Sequence, residues 1–172
     1  MPDVFLFDTN SFISPYKTYY SFDFAPGFWR CIENEMRQGR IVVLDKVHSE
    51  LIEGDDDLSR WANSCDAFQI IDHRQPAIID KYREILNYIQ MSGYYNERAL
   101  AEWADNKVAD AWLIACALTF GYTIITFEGS SGGLNTSSPS SHPKIPDVCR
   151  HFDCACGDLF FAMKNLSFNM GM

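Results

Sequence analysis

The sequence predicts a single α/β domain built on a central parallel sheet of four to five strands, with helices on both faces. Short apolar runs of strand length, such as 4–7 (VFLF) and 41–44 (IVVL), alternate along the chain with longer segments whose apolar residues recur every three or four positions. This alternation is typical of a parallel sheet covered by helices. The length of 172 residues suits one ordinary domain.

The elements alternate from the N-terminus onward. After the first strand at 4–7, the apolar residues of 25–38 follow helical spacing, with Pro26 suited to the first turn and Gly39 to the end. The later predicted strands are 41–44, 68–71, 122–127 and 153–156, and the later predicted helices are 46–53, 58–65, 76–92, 99–104, 110–120, 145–152 and 158–165. Residues 129–143 (GSSGGLNTSSPSSHP) predict a flexible loop within one domain that spans 1–172.

Composition narrows the functional classes. The formal net charge is −9, from 14 Lys plus Arg against 23 Asp plus Glu, which argues against a protein that coats DNA non-specifically. It does not exclude a nuclease, because a bound metal ion neutralises acids gathered around it. The sequence contains no run of 18 apolar residues, so we expect no membrane span. The Met-Pro-Asp start lacks a basic segment, so we expect no signal peptide and a cytoplasmic protein.

The six cysteines are expected to be reduced thiols in that compartment. Cys149, Cys154 and Cys156 lie close together in the sequence, but their spacing is not that of a common zinc finger and no histidine pair accompanies them. The sequence leaves the role of this group open.

Four acids stand near strand ends or at the start of a helix. Asp8 follows the first strand, Glu50 lies in the helix after the second, Asp110 begins the most apolar helix, and Glu128 follows the fourth strand. In an open parallel sheet, sites form outside the carboxyl ends of the strands. Each acid alone has an ordinary structural explanation, such as a helix cap for Asp110 or an Asx turn for Asp8.

Convergence of the four would indicate a metal centre. Carboxylates packed a few ångströms apart repel each other unless a cation neutralises them. Oxygen ligands suit Mg²⁺ or Mn²⁺, and one or two such ions activate a water for attack on a phosphodiester. Thr9, Asn10 and Ser11 would then be the hydrogen-bond donors that orient the acids.

These residues resemble the PIN domain, the fold of the VapC-type toxin ribonucleases. The resemblance rests on Asp8-Thr9-Asn10 after an apolar strand, Glu50 in VHSEL, Asp110 in ADAWLIACA and the following TIITFE, and it covers roughly residues 3–163. The phrases YYSFDFAPGFW and KIPDVC resemble an uncharacterised PIN-like branch still more closely.

The resemblance implies a metal-dependent endoribonuclease, the toxin of a type II toxin–antitoxin pair, that cleaves RNA with a metal-activated water. It implies that Asp8, Glu50, Asp110 and Glu128 are the catalytic and metal-binding acids. Many PIN domains have Asp where this chain has Glu128, so Asp147 and Asp105 stand as alternatives. It also implies a cognate antitoxin partner and favours a homodimer.

The substrate contacts and the catalytic competence stay open. Lys17, Tyr20, Arg30 and Lys46 are candidates for binding RNA through phosphate contacts and base stacking, although for any one of them a packed tyrosine or a solvated cation is the more common explanation. The alternative function is a non-catalytic PIN-like scaffold that binds a protein partner, which the net charge and the Glu128 departure favour. The filled acid positions favour the nuclease.

Overall fold

A computed structural model describes residues 3–171. Met1 and Pro2 of the Met-Pro-Asp start, and Met172, lie outside the described residues. The strands are β1 Phe5–Phe7, β2 Ile41–Leu44, β3 Ile70–Ile71, β4 Thr123–Ile125 and β5 Cys156–Gly157. They form one five-stranded sheet in the order β3-β2-β1-β4-β5. The predicted α/β class with a parallel sheet flanked by helices is confirmed.

The helices of residues 3–171 begin and end as follows: α1 Asn10–Thr18, α2 Pro26–Arg37, α3 Asp45–Ile52, α4 Asp57–Ser64, α5 Pro76–Met91, α6 Glu97–Trp103, α7 Asp110–Phe120, α8 Ile145–Phe152 and α9 Leu159–Asn165. None of them is both long and apolar enough to cross a membrane. Helix α1 was not predicted, since Pro15 lies within it and proline disfavours helix interiors.

The middle strand β1 explains the apolar start of the sequence. Its residues are at most 1% exposed, because β1 pairs in parallel with β2 on one side and with β4 on the other. Phe7 stands opposite both Val43 and Ile125. The residues that directly follow these neighbouring strands therefore lie along one edge of the sheet.

Three predicted strand boundaries were wrong by two or three residues. The third strand begins at Ile70 rather than at Phe68. The fourth strand ends at Ile125 rather than at Phe127, so Glu128 lies three positions beyond it. The last strand begins at Cys156 rather than at Asp153, which instead ends α8 in a left-handed conformation with φ 54°. Short strands leave room for turns that alternation of apolar residues does not reveal.

The chain contains two compact units. The first comprises the residues up to Asp72, 123–127 and those from Gly157 onward, and the second comprises 73–122 and 128–156. In the first unit, aromatic rings pack around Trp61, which contacts Phe12, Phe22, Trp29 and Phe68. In the second unit, α5 packs on α7, and Tyr82 stacks on Trp112 with ring centroids 3.6 Å apart.

Candidate metal centre

Asp8 is held at the carboxyl end of β1. Its residue is only 7% exposed, and its backbone N–H donates to the Ile125 carbonyl at 2.9 Å. One carboxylate oxygen accepts the Thr9 backbone N–H at 2.7 Å, and the other accepts the Thr126 hydroxyl at 2.8 Å. These donors are uncharged, so they fix the orientation of the carboxylate without contributing positive charge to it.

Thr9 connects Asp8 to Glu50. While its backbone N–H binds Asp8, its Oγ1 donates to Glu50 Oε2 at 2.6 Å. Glu50 lies on the exposed side of α3, and the buried Thr9 hydroxyl draws its carboxylate toward the end of β1. The first unit therefore brings two of the four predicted acids together through one residue.

The two residues after Thr9 have different surroundings. Asn10 begins α1 and is exposed. Ser11 is fully buried and its Oγ donates to the Ile125 carbonyl at 2.7 Å, which ties the start of α1 to the end of β4. Ser11 thus holds the backbone around Asp8, because Ile125 O also accepts the Asp8 N–H.

A second pair of acids, which was not predicted, lies at the ends of the neighbouring strands. Asp45 directly follows β2 and Asp72 directly follows β3, and these strands align Leu44 with Ile71. An oxygen of the Asp45 carboxylate and an oxygen of the Asp72 carboxylate lie within 4.8 Å of each other. His73, which follows Asp72 in the sequence, offers a ring nitrogen as a further ligand atom. The ends of both strands were predicted correctly, so the rule applied to Asp8 points to this pair from the sequence as well.

Thr126 is a further residue that the sequence analysis missed. It follows β4 as Asp8 follows β1, and it is 3% exposed. The register places Thr126 next to Asp8, since Phe7 stands opposite Ile125. A buried hydroxyl residue directly after an apolar strand is the signal that would have found it.

In the second unit, Glu128 is bound by groups of its own neighbourhood. One oxygen accepts the Lys144 ammonium at 2.8 Å, and the other accepts the Ile145 backbone N–H at 2.7 Å. The hydrogen bond from Lys144 to Glu128, together with the negative charges of Glu128, Asp110 and Glu102, raises the pKa of Lys144. Asp110, half-buried at the first turn of α7, therefore acts on the same ammonium as Glu128.

The two alternative acids have structural partners. Asp147 is 6% exposed; its Oδ2 accepts the Ser131 backbone N–H at 2.9 Å, and Arg150 lies 3.4 Å from its Oδ1. The hydrogen bond from Ser131 ties the glycine- and serine-rich loop at 129–143 to α8. Asp105 is exposed and its Oδ1 accepts the Lys107 backbone N–H in a turn at 2.8 Å.

The candidate substrate residues are of two kinds. Lys17 on α1 and Arg30 on α2 are exposed, as a phosphate contact requires. Tyr20 is half-buried and stacks on Phe28 with centroids 4.4 Å apart. Lys46 is half-buried, and its backbone N–H donates to Asp45 Oδ1 at 2.8 Å.

The donor chemistry of the first unit fits a hard divalent cation. Asp8 and Glu50 offer carboxylate oxygens that Thr9 orients from one side, and Thr126 orients Asp8 from the other. Mg²⁺ and Mn²⁺ take such oxygen ligands and require that they be held in place. Asp45 and Asp72 offer a second set of oxygens.

Solved structures share the fold of this chain. It aligns with a TM-score of 0.55 and 14% identity to a structure described as VapBC2 from Rickettsia felis bound to a DNA fragment from their promoter, covering 90% of this chain and 98% of that one. A structure of VapBC-1 from nontypeable Haemophilus influenzae aligns with a TM-score of 0.55 and 16% identity. That alignment covers 91% of this chain and 98% of the other. At these identities the likeness shows the fold, and it confirms the predicted PIN-like architecture.

Sequence comparison gives a family but no activity. No curated protein matches the sequence. The model of a domain of unknown function, DUF4411, matches residues 5–170, which is nearly the whole chain. The chain belongs to the DUF4411 family, and its fold is that of the VapC-type PIN domain.

Proposed function

We propose that this protein is a Mg²⁺- or Mn²⁺-dependent endoribonuclease and the toxin component of a type II toxin–antitoxin pair. The observation that carries the proposal is the Asp8–Thr9–Glu50 arrangement at the carboxyl end of β1. A buried carboxylate and an exposed one, linked by a single oriented threonine, are a suitable pair of ligands in a fold that VapBC structures share.

Asp8, Glu50, Asp110 and Glu128 are the proposed metal-binding acids. Hydrogen bonds from Thr9 and Thr126 fix the directions of the Glu50 and Asp8 carboxylates. Ser11 holds the start of α1 against the end of β4. When bound, a divalent ion supplies Lewis acidity toward the phosphodiester and a nucleophilic water at neutral pH. Of the four acids, Glu128 contributes least to metal binding, because the Lys144 ammonium already neutralises part of its charge.

The proposed partners follow from the fold neighbours. Those structures are described as VapBC assemblies, one of them with promoter DNA. We propose by analogy that this chain, acting as one domain in the cytoplasm, binds a cognate antitoxin protein and forms a homodimer. Exposed Lys17 and Arg30 are the proposed phosphate contacts of its RNA substrate.

The test is cleavage of a single-stranded RNA by the purified protein with Mn²⁺, with Mg²⁺ and with EDTA. The wild type should cut with either metal and not with EDTA, and Asp8→Asn should be inactive. Asp45→Asn is the matched control, because it makes the same change directly after the neighbouring strand. Equal cleavage by the wild type and Asp8→Asn would remove Asp8 from the reaction.

The second candidate function is a non-catalytic scaffold that binds a protein partner. The ion pair between Lys144 and Glu128 favours it, because one of the four acid positions is already matched by a cation of the same chain. A scaffold would show neither metal-dependent cleavage nor stabilisation by metal at Asp8. It would still bind its partner after the Asp8→Asn substitution.

A further inference from the structure

We propose that Cys149 and Cys154 form a peroxide-sensitive thiol pair that closes to a disulfide, with Cys154 as the reacting thiol and Cys149 as the resolving one. The cysteines of the chain are thiols in the structure. Three of them, Cys149, Cys154 and Cys156, lie in the second unit around the end of α8. The proposed nuclease activity does not use them.

The chain folds back on itself between the two cysteines. Asp153 ends α8 with φ 54°, and the Cys154 backbone N–H then donates to the Cys149 carbonyl at 2.9 Å. Standard bond lengths allow at most about 6.8 Å between two Cα atoms joined by such a hydrogen bond. That limit lies within the range of Cα separations that disulfides span.

The side chains are in contact as well. The Cys149 thiol hydrogen-bonds to both Cys154 and Cys156, so its sulfur has two neighbouring sulfurs. The hydrogen bond between Cys149 and Cys154 lowers the pKa of the Cys154 thiol, whereas burial and the Asp153 charge act in the opposite direction. The same hydrogen bonds and burial raise the pKa of the Cys149 thiol. Of the two, Cys154 is therefore the thiol that ionises more readily.

Access also distinguishes the two thiols. Cys149 is buried at 1% exposure, whereas Cys154 is half-buried and lines a cleft of about 230 Å³ with Leu118, Gly121 and Tyr122. A molecule as small as hydrogen peroxide fits such a cleft. The oxidant therefore meets Cys154 first.

The reaction balances with peroxide as the oxidant. The Cys154 thiolate attacks one peroxide oxygen, the O–O bond breaks, hydroxide leaves, and Cys154 becomes a sulfenic acid. The Cys149 sulfur then attacks the Cys154 sulfur; its proton and the sulfenic hydroxyl leave as water, and the S–S bond forms. Cys156 touches Cys149 but takes no part in these two steps.

The test uses the reduced full-length protein treated with hydrogen peroxide, followed by alkylation of the remaining thiols and peptide mass spectrometry. The wild type should give a Cys149–Cys154 disulfide that a reductant reverses. Cys154→Ser should slow thiol loss about tenfold or more. Cys149→Ser should accumulate a sulfenic acid on Cys154, which a cyclic dione traps. Cys156→Ser should still form the disulfide.

Cys65→Ser is the control variant, since Cys65 is half-buried in the first unit and burial raises the pKa of its thiol. Its oxidation at residues 149 and 154 should match that of the wild type. The proposal is overturned if Cys154→Ser reacts as fast as the wild type, or if Cys149 and Cys154 stay reduced. It is equally overturned if the purified protein holds stoichiometric zinc on these thiols.

Discussion

Asp8 and Glu128 follow two neighbouring strands of one sheet but have different surroundings. Asp8 comes directly after β1, is buried, and accepts hydrogen bonds from the Thr9 N–H and the Thr126 hydroxyl. Glu128 comes three residues after β4 and accepts the Lys144 ammonium and the Ile145 N–H. The partners named for Asp8 are neutral, whereas one partner of Glu128 is a cation.

The contrast shows that an acid near a strand end gains its role from its donors. A residue joined directly to a strand is placed by the sheet, and for Asp8 the two neutral donors fix the direction of the carboxylate. A residue further into a loop is within reach of side chains from the returning chain, and here Lys144 supplies the positive charge. We therefore expect the two acids to contribute unequally to activity.

The largest effect is expected for Asp8→Asn. The amide keeps the size of the side chain but removes its charge, so RNA cleavage in Mn²⁺ should fall by at least about 100-fold. Initial rates at saturating metal measure the loss, and circular dichroism verifies that the fold is retained. A rate within a few-fold of the wild type would make Asp8 no more important than Glu128.

The Thr126→Val substitution should have the next largest effect. Valine keeps the shape of threonine but cannot donate to Asp8 Oδ2, so metal affinity or cleavage should fall about 10- to 100-fold. Thr126→Ser keeps the hydroxyl and should restore most of the loss. If serine and valine behave alike, the hydroxyl does not orient Asp8 and only packing matters at this position.

Glu128→Gln should reduce cleavage by less than about tenfold, well below the effect of Asp8→Asn. Its amide oxygen can still accept the Ile145 N–H, and the charge that it loses is one that Lys144 already offsets. The same assay with Asp147→Asn shows whether the buried alternative acid matters more. A loss at Glu128 as large as that at Asp8 would contradict the contrast between them.

The smallest effect is on stability and depends on pH. Glu128 raises the pKa of Lys144, so the stabilisation from this pair is fully present below the ordinary lysine pKa and is lost as the pH rises through the raised value. Both side chains are partly exposed, so Lys144→Met should cost less than about 1 kcal/mol. In urea unfolding, the gap between wild type and variant should be constant from pH 7 to about 9 and shrink above about pH 10. A gap that widens at high pH would exclude this pairing.

The sequence was sufficient to predict the fold class, and it correctly placed a strand directly before Asp8. The apolar run before Asp8 predicted a buried strand, and β1 is that strand, paired on both sides. The structure joins Glu50 to Asp8 through Thr9, although the role predicted for both acids stays a proposal. Periodicity and apolar content carry this information because they follow directly from burial.

The sequence indicated Thr9 as a donor to the acids, but it did not reveal the more distant partners of Asp8 and Glu128. The contact of Thr126 with Asp8 depends on strand register, and register is set by pairing between segments far apart in the chain. Asp45 and Asp72, by contrast, directly follow two strands whose ends were predicted correctly, and they were overlooked. The Lys144 contact depends on how the loop at 129–143 returns to Glu128, which its composition does not specify. Local patterns therefore selected the candidate acids and Thr9, whereas Thr126 and Lys144 depend on contacts between distant segments.

A thermal-shift titration with Mn²⁺ of the wild type, Asp8→Asn and Asp45→Asn tests the central claim most directly. A metal that binds only the folded protein stabilises it by about 2.7 kcal/mol at a hundredfold excess over Kd. We expect the melting temperature of the wild type and of Asp45→Asn to rise with Mn²⁺, and that of Asp8→Asn to stay unchanged. A full rise in Asp8→Asn, with none in Asp45→Asn, would place the metal at Asp45 and Asp72 and contradict the assignment to Asp8.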